Sequence, residues 1–428
     1  MRKLLLMSAA AIALAACSPK TDTETAPPTA QTQEAEKNIN ARLDAWFEAD
    51  FQESVRDYPM SMAFLGIPER MDEWNDPSRA FALEQLEKTR QKLAELKANF
   101  NPDDLDDSRR LSYRLYVKQA EDRLADDKWH AHSYPFNQMF GAQSGIPTFM
   151  LNQHPVKTEE DARNYIARLN GVKDYLGGTV ENARRSAEAG ILPPLYVYDH
   201  VLRDVNNILT GLPFDDSENL NLLMKDFKTK VEKLELGEDK EAELYEAATT
   251  ALITSVGPAY RDLKSFLEAQ QVNATTDDGV WKLPDGEAFY AHRLSRMTTT
   301  DMSADEIHDL GLSEVARIHG EMRSIMKDVG FDGTLQEFFT HLKTDPKFTY
   351  EDSDEGRQAY LDEATRIIEV MKGRLDDVFL KKPKADLEVR RVEAFREKSA
   401  GKAFYNRPAQ DGSRPGYYYA NLYKITDM

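Results

Sequence analysis

Apolar residues recur at three- and four-residue steps along most of this chain, which restricts it to helices that bury one face against other helices. In "NINARLDAWFEADFQESVRDYP", residues 38–59, Ile39, Leu43, Trp46, Phe47, Phe51 and Val55 make one stripe that ends before Pro59. Residues 78–99 repeat the pattern through Phe81, Leu83, Leu86, Leu93 and Leu96, and a third helix is expected near 108–124. "TEED" from Thr158 and "SADE" from Ser303 spell capping boxes, in which a hydroxyl and an acid three residues on satisfy the free amides of a helix start. The first opens a stripe from Ala162 through Tyr165, Ile166, Leu169, Val172 and Leu176 to Val180. The second opens one from Ile307 through Leu310, Val315, Ile318, Met322 and Ile325 to Val329, closed by Gly330. Further helices are expected over about 195–210, 217–235, 239–270, 335–343 and 354–377.

The pattern changes near the end. "ADLEVRRVEAF" alternates side chains with period two and "GYYYANLYKI" is rich in tyrosine, so strands are expected over 387–395 and 416–425. The turn-rich "NRPAQDGSRPG" separates them. The fold class is therefore mainly α, a large helical domain with a small β-sheet near the C-terminus, and no solenoid-length repeat is present.

The first residues read as an export signal. Arg2 and Lys3 precede an apolar run, Leu4–Ala16, too short to span a bilayer as a mature helix. The run ends "LAAC" at Cys17, the only cysteine, and this is the spelling of a lipobox: residues 1–16 are removed and Cys17 becomes the lipid attachment site. Several acyl chains anchor stably where one alone is marginal. With Cys17 acylated there is no disulfide, so an exported chain must rely on its core. Residues 17–38 then form the lipid anchor and a flexible tether, poor in apolar side chains, and Ser18 rather than Asp after the cysteine points to an outer membrane, with the protein facing the periplasm. The rest, 39–428, is long enough for a large core. Loss of Arg2 and Lys3 with the signal takes the net charge from −19 to −21. So acidic a chain argues against nucleic acid as a partner and leaves the lipid as its membrane contact.

No complete catalytic constellation can be assembled from the motifs. None of the eight histidines sits in His-Glu-x-x-His; His130 and His132 are two apart, and His308 and His319 are about 16 Å apart if helical. "GAQSG", 141–145, has its serine one place late for a nucleophile elbow, and "SAGK", 399–402, lacks the companion motifs of Ser-x-x-Lys enzymes.

Four segments together resemble one family: "FNQMFGAQSGIPTFMLNQHP" (136–155), "GILPP" (190–194), "LPDGEAFYAHRLSRMTTTDMSADEIHDLGLSEVARIHGEMRSIM" (283–326) and "SRPGYYYANLYKITDM" (413–428). They are similar to the bacterial domain of unknown function 885, whose members are often exported lipoproteins and are grouped with gluzincin-like zinc metallopeptidases. The resemblance implies that this chain, from residue 39 on, is the N-terminal part of a gluzincin-like fold. It implies a zinc motif, a His-Glu pair followed by Pro-Gly-His, just beyond the segment similar to "GYYYANLYKI"; this sequence does not contain it. The expectation is then an incomplete domain, inactive as written, with catalytic residues beyond Met428, no cofactor in this chain and zinc in a full-length homologue. The alternative is a non-catalytic helical envelope lipoprotein that binds peptides or a protein partner. The candidates for a substrate cleft are Tyr290 and His292 in "PDGEAFYAHRL", Arg414 beside a proline as Arg407 is, and Tyr417, Tyr418 and Tyr419. Period two puts Tyr417 and Tyr419 on one sheet face and Tyr418 on the other; one phenol could donate to substrate. Open strand edges with an uncovered apolar face would make the 428-residue product poorly soluble. The sequence leaves the oligomeric state open.

Overall fold

The computed structural model describes residues 30–410 and 412–427, so the signal, Cys17 and most of the tether lie outside the described residues. Helices α1 (Ala30–Arg56), α2 (Pro59–Leu65), α3 (Arg79–Asn99) and α4 (Asp107–Asp126) come first. α1 starts well before the apolar stripe does, which makes the end of the expected tether helical, in keeping with the helix propensity of Ala, Gln, Glu and Lys. Leu43, Leu96, Phe100, Leu105 and Tyr113 form the core shared by α1, α3 and α4.

The larger core is built by α5 (Ala142–Gln153), α6 (Glu159–Glu188), α7 (Leu195–Ile208), α8 (Leu222–Val231), α9 (Glu238–Ala251) and α10 (Gly257–Gln271). The stripe expected on α6 is buried as read, from Ala162 to Leu176, and the Thr158–Asp161 capping box is formed. α9 and α10 run on through one π-turn, Leu252–Val256, so the helical stretch expected over 239–270 is interrupted there, just ahead of Pro258. The helix expected from 217 begins only at Leu222, because Asn221 caps it.

α5 was not legible from sequence, as it contains Gly145 and Pro147. A proline inside a helix leaves the carbonyl four residues back without its amide donor. Here that carbonyl belongs to Gln143, and the hydroxyl of the fully buried Tyr260 donates to it at 2.7 Å. The other end of α5 is closed by Lys230, whose Nζ donates to the carbonyl oxygens of Met150 (2.8 Å), Leu151 (3.1 Å) and His154 (3.0 Å). Arg168, on the apolar stripe of α6, is wholly buried; its Nη1 donates to His154 Nδ1 at 2.9 Å and its Nε to the Glu73 carbonyl at 3.1 Å. Burial, and then the adjacent Arg168 cation, push His154 down to about 3, so the imidazole is neutral and can accept that bond.

The remaining helices are α11 (Gly286–Thr298), α12 (Ala304–Asp328), α13 (Leu335–Thr344) and α14 (Asp354–Lys372). The Ser303–Glu306 capping box forms as read. No helix among the described residues is long and apolar enough to cross a membrane.

The chain ends in a three-stranded sheet of β1 (Leu387–Arg391), β2 (Ala403–Asn406) and β3 (Gly416–Ala420), in the order β1–β3–β2. β3 is central, parallel to β1 with Val389 opposite Tyr418 and antiparallel to β2 with Tyr405 opposite Tyr418. Both expected strands are shorter than read, and β2 was missed because four residues between turns give no periodicity. This corrects the expectation of an uncovered strand face. Val392, Phe404, Tyr417 and Tyr419 pack one side of the sheet, and Tyr350, Tyr360, Leu361 and Leu422 pack around Tyr418 on the other.

Candidate functional site: the sheet and the seam that docks it

The tyrosines divide as the strand period requires, and the structure gives each a partner or an environment. Tyr419 is 1% exposed and stacks on Phe404, with centroids 5.0 Å apart. Burial, and then the nearby Glu393, push its phenol up to about 12, so it is a neutral donor at physiological pH, and its hydroxyl has no hydrogen-bond partner among the described residues. The Arg390 guanidinium lies 3.7 Å above the Tyr417 ring while its Nη2 donates to Glu388 at 2.8 Å. Tyr418 faces the other way, its hydroxyl 3.4 Å from that of Tyr360.

Arg414 is engaged with backbone carbonyls. It donates to the carbonyl oxygens of Arg407 (2.8 Å) and Phe64 (3.1 Å), and so ties the 407–414 turn to the end of α2. His292 is likewise engaged: its ring nitrogen lies 2.6 Å from Asp126, on α4, which also receives Arg296. With Trp129 and Phe289 it fastens α11 to the end of α4. Tyr290 is 44% exposed on the same helix. The expected cleft residues therefore fall into two sets on different elements: Tyr290 and His292 beside α4, and Arg414 with the tyrosines at the sheet. The structure does not join them.

The sheet is held on the helical body by the turn between β1 and β2, residues 392–402. Asn152 of α5 donates to Glu393 at 2.5 Å. From α7, Asn207 donates to the Phe395 carbonyl at 3.0 Å and Arg203 to the Ser399 hydroxyl at 2.7 Å. Ser399 in turn donates to Asp204 at 2.9 Å. Asp204 is 1% exposed, and its burial raises the carboxyl above the usual range although Ser399 and Gln143 pull it down. The serine of "SAGK" thus serves as a docking contact. The serine of "GAQSG" is buried within the first turns of α5, whose N-cap is Gly141. Sequence reasoning missed Asn152, Arg203, Asp204 and Asn207; polar residues at isolated helix positions give no signal until their partners some two hundred residues away are known.

The outer side of β2 pairs with no strand in the sheet. Tyr405 of β2 is 56% exposed, its ring lying over Gly416 of the central strand. At the entrance to β2 Met139 comes within 3.6 Å of where a Cβ on Gly401 would lie, and the neighbouring Phe140 is 81% exposed. A strand edge bordered by such side chains can hydrogen-bond an extended polypeptide and take up its alternate side chains. Among the described residues no three of His, Cys, Asp and Glu are grouped so that they could hold a metal ion.

A helical body carrying a small docked sheet defines the class, and two solved proteins share it. A protein of Colwellia psychrerythraea described as a "putative lipoprotein" is 22% identical, with a TM-score of 0.79, over 90% of this chain and 68% of that one. A Shewanella oneidensis protein, also described as a "putative lipoprotein" and of unknown function, is 16% identical, with a TM-score of 0.56, over 88% of this chain and 64% of its own. No curated protein matches the sequence. Residues 59–428 match the family of bacterial proteins of unknown function DUF885, and the chain belongs to that family.

Proposed function

We propose that the chain is an exported, lipid-anchored protein of the cell envelope that holds an extended peptide along β2, as the substrate-binding portion of a metallopeptidase-like hydrolase. The observation that carries this is the β2 edge that no other strand of the sheet pairs, with Met139 close to Gly401 just before it, seated on α5 and α7 through the 392–402 turn. Main-chain bonds along such an edge supply affinity and the apolar border supplies preference. The lipobox and the likeness to two solved proteins described as lipoproteins support attachment through Cys17, and Ser18 after it supports an outer-membrane site facing the periplasm. The zinc and the base that activates water would come from polypeptide outside these 428 residues; both solved relatives are longer than the part matched here.

The test uses residues 18–428 and a fluorescein-labelled decapeptide with apolar residues at alternate positions, read by anisotropy. Binding is expected in the micromolar range, weakened at least tenfold by Phe140→Asp with Met139→Glu. It should be abolished by N-methylating alternate backbone nitrogens of the peptide. Equal binding of the N-methylated peptide would sink the edge-pairing reading. Metal analysis should find no stoichiometric zinc, and one tightly held zinc per chain would overturn the division of labour. A non-catalytic binder uses the same edge. An open frame continuing past the Met428 codon into a His-Glu pair favours the hydrolase, and a stop codon there favours the binder.

A further inference from the structure

Independently of the β2 edge, α12 carries an apolar stripe that the described residues leave largely uncovered. Val315, Ile318, Met322, Ile325 and Val329 follow one another at steps of three, four, three and four residues, the spacing of a helix seam that packs against another helix. Ile318, Val315, Ile325 and Val329 are 37%, 49%, 52% and 64% exposed. Met326, at one side of the stripe, is the sole buried residue of the 25 in this helix. The region around it is similar: of the large apolar side chains over 297–380, fifteen are exposed and only Met326 and Phe338 are buried.

We infer that this stripe is a docking surface, and that its occupant is polypeptide of the kind the two solved relatives carry outside the part matched here. Three observations favour that occupant over a second copy of this chain. One helix stripe of this length presents on the order of 400 Å² of apolar surface, whereas each partner in a stable complex of separate proteins gives about 800 Å². An area that small suffices when a segment is held nearby at high effective concentration. Glu314, Glu321 and Asp328 line one flank of the stripe at seven-residue spacing; Arg317 pairs with the first two, but Asp328 is added to a chain of net charge −19, so two copies would repel. The relatives supply the candidate: 32% and 36% of their lengths lie outside the match.

The experiment places the photo-cross-linking residue p-benzoylphenylalanine at position 325, and separately at 318, in the full chain expressed in the envelope of its native host. Mass spectrometry then identifies the cross-linked peptide. Both positions are solvent-exposed, so the substitutions leave the fold intact, which a thermal melt of residues 18–428 checks. The expected product is a cross-link from both positions to a sequence that aligns with the unmatched part of the Colwellia protein. In parallel, Ile325→Cys in residues 18–428, which contain no other cysteine, should react with maleimide as fast as an unfolded control does, within about threefold. Cross-links to residues 39–428 of a second copy, cross-links to lipid, or a thiol protected in a purified dimer would each overturn the inference.

Discussion

The α5–α10 body and the α11–α14 region are written in the same helical code and end in opposite surroundings. α6 and α12 both open with a capping box and both carry a long apolar stripe. On α6 ten residues are buried, with Ala162, Tyr165, Val172 and Leu176 fully so; on α12 one is. Periodicity therefore reports that a helix has a face to bury, and leaves open whether the partner is in the same stretch of chain. The body has a core that includes even a buried arginine, whose donors are met by His154 and backbone carbonyls. The α12 stripe faces solvent.

The largest way to break this comparison is to remove equivalent side chains from the two stripes. Leu176→Ala should destabilise by about 3 kcal/mol, the transfer and cavity cost of a fully buried leucine, whereas Ile325→Ala, half in water already, should change stability by less than about 0.5 kcal/mol. Urea unfolding of residues 18–428 followed by circular dichroism measures both. A loss above about 2 kcal/mol for Ile325→Ala would mean that the α12 face is covered in solution.

The helical part of this fold was legible because it is local. Stripes, caps and the glycine at 330 fixed α1, α3, α6 and α12 to within a few residues, apart from the start of α1, which lies ahead of its stripe. The sheet was legible only in part. Tyr417, Tyr418 and Tyr419 gave β3 and its two faces, but β2 is four residues long and depends on pairing with β3 across a nine-residue gap. The docking seam was not legible at all. Asp204 and Ser399 are ordinary polar residues until the fold puts them 2.9 Å apart, and Arg414 reads as a candidate ligand group until its carbonyl partners are seen. The two outer candidates, Tyr290 and His292, were read into a cleft because they share a short motif, whereas spatially His292 belongs to Asp126.

Cap deletions sharpen the comparison by asking whether the two regions unfold together. Thr158→Ala and Ser303→Ala each remove one half of a capping box, at a cost of about 1 kcal/mol to the helix concerned. On α6 that cost should appear in global unfolding. On α12 it should appear instead as faster hydrogen exchange of the amides of residues 304–310, with the global midpoint unmoved, because a helix with one buried residue can open by itself. Equal shifts of the global midpoint would show that body and α12 form one cooperative unit.

The smallest effect concerns the contact that ties α11 to α4. Burial raises the Asp126 carboxyl, but hydrogen bonds from Arg296 and then His292 outweigh it and hold the group below the usual carboxylate range. A carboxyl with a lowered folded-state value binds protons less readily when folded than when unfolded. Its stabilisation is therefore complete above the unfolded value of about 3.9 and is lost as pH falls through the folded one. Asp126→Asn removes that dependence: the wild type should lose stability between about pH 5 and pH 3 by a small margin that the variant does not show. Because the Asp126 side chain is 36% exposed, solvent screens most of the pairing and the difference at neutral pH should be modest. The readout is local, since Asp126 and Arg296 join α4 to α11: exchange of the α11 amides should quicken in acid, while those of α6, held by its own core, stay protected. If α6 and α11 lost protection together over that range, the acid-sensitive contact would be in the body and not at Asp126.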